Sequence, residues 1–374
     1  MKGSKSARVV DPTSPLIPLI LITIVAAAFG GCGVDHRLEP AISTRTQQFE
    51  ESVRERRFKE VDWRILWERG GSEADTVLLM PSELSTDGRY VYVYDMAEDR
   101  LSAFRAADGS VAWTAGRRGS GPQEFRKAED ITFGPPGEIL LADPNNGRIA
   151  VLDTAGTFLR HIPLNAVPYA TSTCSIGRDR LLVSTLGSMT RPVLVLSGQG
   201  ELLSETRLPW PDLEETPAIA QQGFFVRTQQ GRCIYILALG RGFTVHDGSG
   251  FQAPRPFVES YDLPTVQLIP GERGAPPSTR VLNRTEAALG AGVDEETLAI
   301  GFWGKTKAQG ELIDVYSLDG GRYLHTHRAP MVFSRMARAG NVFFFDGQRD
   351  GYPVLVAAEM RERAAADLPS PAAR

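Results

Sequence analysis

The run Asp87-Gly-Arg-Tyr-Val-Tyr-Val-Tyr-Asp95 returns as Pro136-Gly-Glu-Ile-Leu-Leu-Ala-Asp143, with the closing aspartates 48 positions apart. Five residues after each of these aspartates a second alternating run begins, Arg100-Leu-Ser-Ala-Phe104 and Arg148-Ile-Ala-Val-Leu152, and each then turns at a glycine, Gly109 or Gly156. Looser copies of the second run and its turn follow at Val193–Gly200, Phe243–Gly250 and Ile313–Gly320. A repeat constrains a fold strongly, because one unit cannot bury its apolar face alone and must stack on the next. These units are short alternating or β-branched runs bounded by Gly, Asp and Asn, which are strand and turn signals. Roughly four strands per 40–50 residues is the pattern of a propeller blade.

Six such units are expected, in an all-β, six-bladed β-propeller spanning residues 61–360. The last unit, Met331 to Met360, is one strand short. Asp62-Trp-Arg-Ile-Leu-Trp67 reads as the missing outer strand. A closing blade built from both chain ends leaves no open sheet edge to invite aggregation. Residues 251–282 exceed the repeat and read as an insertion loop between the fourth and fifth blades. The 37 glycines and 25 prolines suit many turns better than long helices.

The ends differ in character. Lys2, Lys5 and Arg8 precede an uncharged apolar run, Pro15 to Phe29, and then Gly30, Gly31 and Cys32. Charge, apolar stretch and small residues in that order make a signal peptide. Residues 32–60 are polar and read as a tether, and 361–374 as a disordered tail. The chain carries a net charge of −4; residues 1–31 hold Lys2, Lys5, Arg8 and Asp11, a net +2, so the remainder carries −6. That balance excludes nucleic acid as the main partner, which needs clustered positive surface.

The second unit carries the most specific sequence: Gly116-Arg-Arg-Gly-Ser-Gly-Pro-Gln-Glu-Phe125, Glu129-Asp-Ile-Thr-Phe133, Gly137-Glu-Ile-Leu-Leu-Ala-Asp143 and Asn145-Asn-Gly-Arg-Ile-Ala-Val-Leu-Asp153. It resembles the NHL-repeat propellers and the related six-bladed propeller lipoproteins of bacteria. Gly-Gly-Cys at 30–32 likewise resembles the lipobox of bacterial lipoproteins, with Phe29 where that family prefers an aliphatic residue. The resemblance implies lipid on Cys32 as the mature N-terminus. It implies a chain exported and anchored to a membrane, at the periplasmic face or the cell surface. An uncleaved span is the alternative, since Pro15–Gly33 is just long enough to cross a bilayer. In such propellers the Asp and Asn/Arg strand ends set turns, and no catalytic residue carries over.

Chemistry-bearing residues are few. Gly116, Gly119 and Gly121 link two strands, with Pro122 following, and do not form a phosphate loop. His325 and His327 fall on one side of a strand, as two metal ligands would, but no third ligand is evident and a solvent-facing outer strand accounts for them. His36, His161 and His246 lie in the tether and in outer parts of blades. Asp87, Asp95, Asp143, Asp153, Asp319 and Asp346 read as turn residues that bond their own backbone. Cys174 and Cys233 could pair in an exported chain, but they fall in different blades and are read as buried small hydrophobes. No metal or cofactor is expected.

In propellers the innermost strands line a channel, and ligands usually sit at one mouth. Near the predicted inner-strand starts lie Glu83, Arg126, Lys127, Arg227, Arg284 and Arg335. Five of the six are cationic, which suggests a basic funnel for an anionic ligand or an acidic loop. The expected role is a monomeric, membrane-anchored binding or scaffold module for a protein, peptide or glycan. The alternative is a metal-dependent lyase or lactonase-like hydrolase with its site in the channel.

Overall fold

The structure is a computed structural model describing residues 56–362, except 166, 168, 187–191, 214–215, 260, 270–277 and 306–307. The signal segment, Cys32, most of the tether and the tail lie outside the described residues. Among the described residues, helix is confined to three short 3-10 turns.

The N-terminal strand is β1 (Val61–Gly70). The first four-stranded sheet holds β2 (Pro81–Thr86), β3 (Tyr90–Asp95), β4 (Arg100–Arg105) and β5 (Val111–Ala115). The second holds β6 (Asp130–Phe133), β7 (Glu138–Asp143), β8 (Arg148–Asp153) and β9 (Phe158–Pro163). The third holds β10 (Ala170–Ile176), β11 (Arg180–Thr185), β12 (Val193–Ser197) and β13 (Leu202–Thr206). The fourth holds β14 (Phe224–Arg227), β15 (Cys233–Ile236), β16 (Gly242–His246) and the short β17 (Arg255–Pro256). A separate hairpin, β18 (Thr265–Ile269) and β19 (Ser278–Leu282), follows. The expected insertion loop at 251–282 is thus part sheet edge and part hairpin.

The remaining strands are β20 (Ala288–Val293), β21 (Thr297–Phe302), β22 (Leu312–Ser317), β23 (Tyr323–Arg328), β24 (Phe333–Ala339), β25 (Val342–Arg349) and β26 (Tyr352–Glu362). With β1 they form one eight-stranded sheet in the order β1-β26-β25-β24-β20-β21-β22-β23. All its pairings are antiparallel except β20 with β24, which meet in parallel at a single pair, Gly290 and Met336. A Cβ on Gly290 would strike the Met336 backbone, so glycine permits that approach. β1 covers β26 from Val61 opposite Glu362 to Gly70 opposite Val354.

The first strands touch in succession, β2 with β6, β6 with β10, β10 with β14, β14 with β20, β20 with β24, and β24 again with β2. The sheets therefore close into the ring of a propeller. Alternation along the strands sends apolar side chains into the gaps between neighbouring sheets. Tyr92, Tyr94 and Leu101 meet Ile139 and Leu141 in one such cluster. Trp67, Phe344 and Leu355 meet Val91, Val93 and Phe104 in another. A third lies between the halves of the eight-stranded sheet, where Ala299 and Ile313 meet Phe333, Phe343 and Phe345. Each large side chain buried in this way contributes about 1.5–3 kcal/mol.

Two expectations about the chain are corrected. Cys174 on β10 and Cys233 on β15 form a disulfide, with Cα atoms 6.1 Å apart. They are 59 residues apart in sequence, but the inner strand of the third sheet packs on the fourth, and this brings their side chains together. The tether also ends earlier than residue 60. Arg56 is only 6% exposed and its guanidinium grips Asp314 on β22 through Nε (3.1 Å) and Nη2 (2.9 Å), and Glu259 through Nη1. The Lys59 amide donates to the Thr326 carbonyl at 2.9 Å, so residues 56–59 run along the outer strand β23.

Candidate functional site: the upper mouth of the channel

A meander of four antiparallel strands returns the chain to the end of the sheet where its first strand began. The first strands around the ring therefore run the same way, and the channel has an upper end where they start and a lower end where they finish. Loops joining sheet to sheet, and second strand to third, lie at the upper end. Turns from first to second and from third to fourth strand lie at the lower end.

Four of the first strands carry a β-bulge at their upper ends: between Pro81 and Glu83, Ala170 and Ser172, Ala288 and Gly290, and Phe333 and Arg335. A bulge adds one residue and re-aims the side chain beside it. Here it re-aims Glu83 and Arg335. Glu129 precedes β6, Tyr169 precedes β10, and Glu286 precedes β20. The Arg335 guanidinium lies 3.7 Å from the Glu286 carboxylate. The Tyr169 hydroxyl donates to Glu129 Oε1 at 2.7 Å. Asp346 on β25 stands opposite Arg335 across the strand pair. Behind them, Asp130 Oδ2 accepts from the Thr173 amide (2.9 Å) and the Ser172 hydroxyl (2.8 Å), and the Ser172 hydroxyl accepts from the Phe225 amide (2.9 Å). These bonds stitch three neighbouring inner strands together.

The electrostatics are those of crowded carboxyls. Burial pushes Asp346 up to about 8, with Arg335 opposing and Asp95 adding to the rise. Burial likewise lifts Asp130 to about 7, against its three hydrogen-bond donors, Thr173, Ser172 and Ile131, with Glu129 adding to the rise. Glu83 is held well above the usual carboxylate range by burial, with Arg335 opposing and Asp130, Glu129 and Glu286 adding to the rise. Burial raises Glu129 too, opposed by Tyr169, Arg335, Arg284 and Lys127. For Arg335, burial works against the charge, but Glu286, Glu83, Asp346 and Glu129 outweigh it and hold the guanidinium charged.

The sequence-predicted site residues separate into three groups. Glu83, Lys127, Arg284 and Arg335 share the electrostatic neighbourhood of Glu129 at the upper mouth. Arg126 sits in the loop before β6 with an exposed side chain, tied by its amide to Asp143 Oδ1 (3.1 Å). Arg227 ends β14 at the lower mouth, where its Nε donates to the Ser175 carbonyl at 3.1 Å. The upper mouth is thus not the basic funnel expected. Glu129, Glu286 and Asp346, which the sequence reading did not place at the mouth, join Glu83 around Arg335, with Asp130 adding to the charges near Glu83. The missed glutamates stand within three residues of the cations that were noticed. The bulges aim Glu83 and Arg335, the loops before β6 and β20 aim Glu129 and Glu286, and the sequence displays neither.

Asp346 is also a correction in kind. It lies inside β25, 4% exposed, and is not a turn residue. Asp87, by contrast, accepts from the Arg89 and Tyr90 amides (2.8 and 2.7 Å), and Asp153 from those of Ala155 and Thr157 (2.9 and 2.8 Å), as turn aspartates do. The glycine-rich loop is structural: Arg148 Nη2 donates to the Gly121 carbonyl at 2.7 Å and clamps it down. The histidine pair is not solvent-facing. His327 is 2% exposed, and its Nδ1 donates to the Lys59 carbonyl at 2.9 Å. Its Nε2 meets His325 Nε2 at 3.0 Å, so segment 56–59 covers this face. Among the described residues no three His, Cys, Asp or Glu groups converge as a metal site would require.

No protein-family model matches the chain, and no curated protein matches it. Solved structures do. One from Bacteroides fragilis, described as an exported protein, has 10% identity and a TM-score of 0.54, covering 81% of this chain and 95% of that one. Virginiamycin B lyase from Staphylococcus aureus has 10% identity and a TM-score of 0.49, with coverages of 79% and 99%. The WD40 domain of Neurospora crassa Pan2 has 9% identity and a TM-score of 0.43, with coverages of 80% and 95%. At such identities the likeness is one of fold, and the fold is an all-β propeller.

Proposed function

We propose that this chain is an exported, lipid-anchored propeller of six blades that binds a protein, peptide or glycan at its upper mouth. The six-blade reading takes the eight-stranded sheet as two blades joined only at Gly290 and Met336. A buried apolar cluster between its two halves supports that division. Export is supported by the signal pattern ahead of Cys32 and by the Cys174–Cys233 disulfide, since such bonds persist in oxidising compartments. The Bacteroides fragilis protein of similar fold is also described as exported. Residues 1–31 are then the signal peptide, Cys32 carries the lipid, and a monomeric propeller follows the tether. Uptake of labelled fatty acid by the wild type and not by Cys32→Ser tests the anchor.

One observation carries the binding role: charged side chains from several inner strands converge at the upper mouth, and six exposed apolar residues stand at that end. These six form a rim of Leu79, Met80, Tyr169, Trp303, Val332 and Tyr352, all in loops or strand starts at the upper end. Exposed apolar side chains gathered on one side mark interaction surfaces. Photo-cross-linkers at Tyr169 and Trp303, compared with cross-linkers at Ala155 and Gly250 on the lower turns, test this in native membranes. Adducts from the upper positions alone are expected. Equal yields from both ends would defeat the reading.

A further inference from the structure

The binding role leaves open what the upper mouth recognises, and the charges there are lopsided. Five carboxyls, Glu83, Glu129, Asp130, Glu286 and Asp346, face three cations, Lys127, Arg284 and Arg335. Arg335 is shared among four of the acids. Its distance of 3.7 Å from Glu286 is too long for a hydrogen bond. Asp346 is 4% exposed, yet its Oδ1 has no hydrogen-bond partner. An unpartnered buried oxygen is uncommon, because it forfeits the bonds it would make in water. This one stands on the face that carries Arg335.

We infer that the upper mouth takes a lysine or arginine side chain of a partner polypeptide, its cation held by Glu83, Glu129 and Glu286 over Asp346 and its apolar flanks packed on the rim. This inference deepens the binding reading and rests on it. An anionic ligand would have to compete for Arg335, which Glu286, Glu83, Asp346 and Glu129 already share. A small free amine would satisfy the acids but leave the apolar rim uncovered. A polypeptide segment meets both requirements, and its backbone carbonyls offer Arg335 acceptors beyond the Ser334 carbonyl that its Nη1 already meets at 3.0 Å. Burial holds Glu83 and Glu129 toward their neutral forms, and an arriving cation favours the ionised ones. Docking is therefore accompanied by proton release.

The test uses the full-length chain and three short labelled peptides that differ at one central position: lysine, serine or glutamate between leucines. Binding is read by fluorescence anisotropy, and folding by thermal midpoint. The lysine peptide is expected to bind about tenfold or more tighter than the glutamate peptide, and Glu83→Gln and Asp346→Asn each to remove about that factor. Neither variant lowers the thermal midpoint, and Arg227→Ala at the lower mouth leaves binding unchanged. The inference is overturned if the glutamate peptide binds as well as the lysine peptide, if the two variants bind like the wild type, or if no peptide binds. Should it be overturned while upper-mouth cross-linkers still capture a partner, only the ligand class falls. Cross-linking that favours the lower turns would remove the binding reading itself.

Discussion

The two ends of the channel are made of the same strands and have been put to different uses. The lower end is closed by tight turns whose aspartates bond their own backbone, at Asp87, Asp153, Asp247 and Asp294. Its charged residues are paired locally, as with Arg338, which bonds Asp294 and, at 2.9 Å, the Thr297 hydroxyl. The upper end has longer loops, bulged strand starts, carboxyls lifted by burial, and six exposed apolar side chains, against Leu159, Leu202 and Leu203 at the lower strand starts. The lower end spends its polar groups on its own backbone, and the upper end, which does so at Asp95 and Asp143, also leaves carboxyls at the channel mouth. The contrast teaches that stability and recognition are carried at opposite ends, so changes at each end should have separable effects.

The largest expected effect is at the Cys174–Cys233 bond, whose sulfurs join β10 near its lower end to the first residue of β15. Replacing both cysteines by serine should cost about 2–4 kcal/mol in denaturant unfolding, because the unfolded chain is no longer cross-linked. Peptide binding at the upper end should survive. Next is Gly156, on a lower turn at φ +83°, where an added Cβ would lie 2.6 Å from the Trp113 ring. Gly156→Ala should lose roughly 1–3 kcal/mol through strain and that clash, again without loss of binding. A binding defect in either variant would break the separation between the ends.

At the upper end the sign reverses. Asp346 has a folded-state value of about 8 against an ordinary 3.8, so folding takes up a proton. Its contribution is fully present below pH 4 and is lost as pH rises toward 8, where the buried group must ionise. Asp346→Asn should therefore gain roughly 1–2 kcal/mol at pH 8, and the gain should vanish by pH 4. Urea unfolding at the two pH values measures it, and a loss of stability at pH 8 would contradict the assignment. The smallest effect is at the rim. Leu79→Ser and Trp303→Ser should change stability by no more than about 0.5 kcal/mol while weakening peptide binding.

The strands were legible because their signal is local. Asp87–Asp95 and Pro136–Asp143 alternate, end in turn residues and repeat, and the structure makes each of them a strand. Asp62–Trp67 was legible for the same reason. What escaped depends on contacts between distant segments. Cys174 meets Cys233 only because two sheets pack face to face. Arg56 reaches acids 203 and 258 positions away, at Glu259 and Asp314. The composition of the mouth turned on bulges, each of which moves a side chain to the other face by one step of register. Reading charges near strand starts found Arg335 and Glu83 but not Glu129, Glu286 and Asp346 beside them.

The clasp at Arg56 has a mechanical consequence. Among the described residues, Arg56 is the first to meet a pull arriving from the N-terminal side, beside the outer strand β23. Behind that point Lys59 is bonded to β23, and β1 lies antiparallel along nearly the whole of β26. Tension along β1 would have to shear many backbone hydrogen bonds together, where a peeling load would break them singly. Arg56 thus acts as a strain relief: it takes the load at a buried ion pair, away from the strand that joins the chain's two ends.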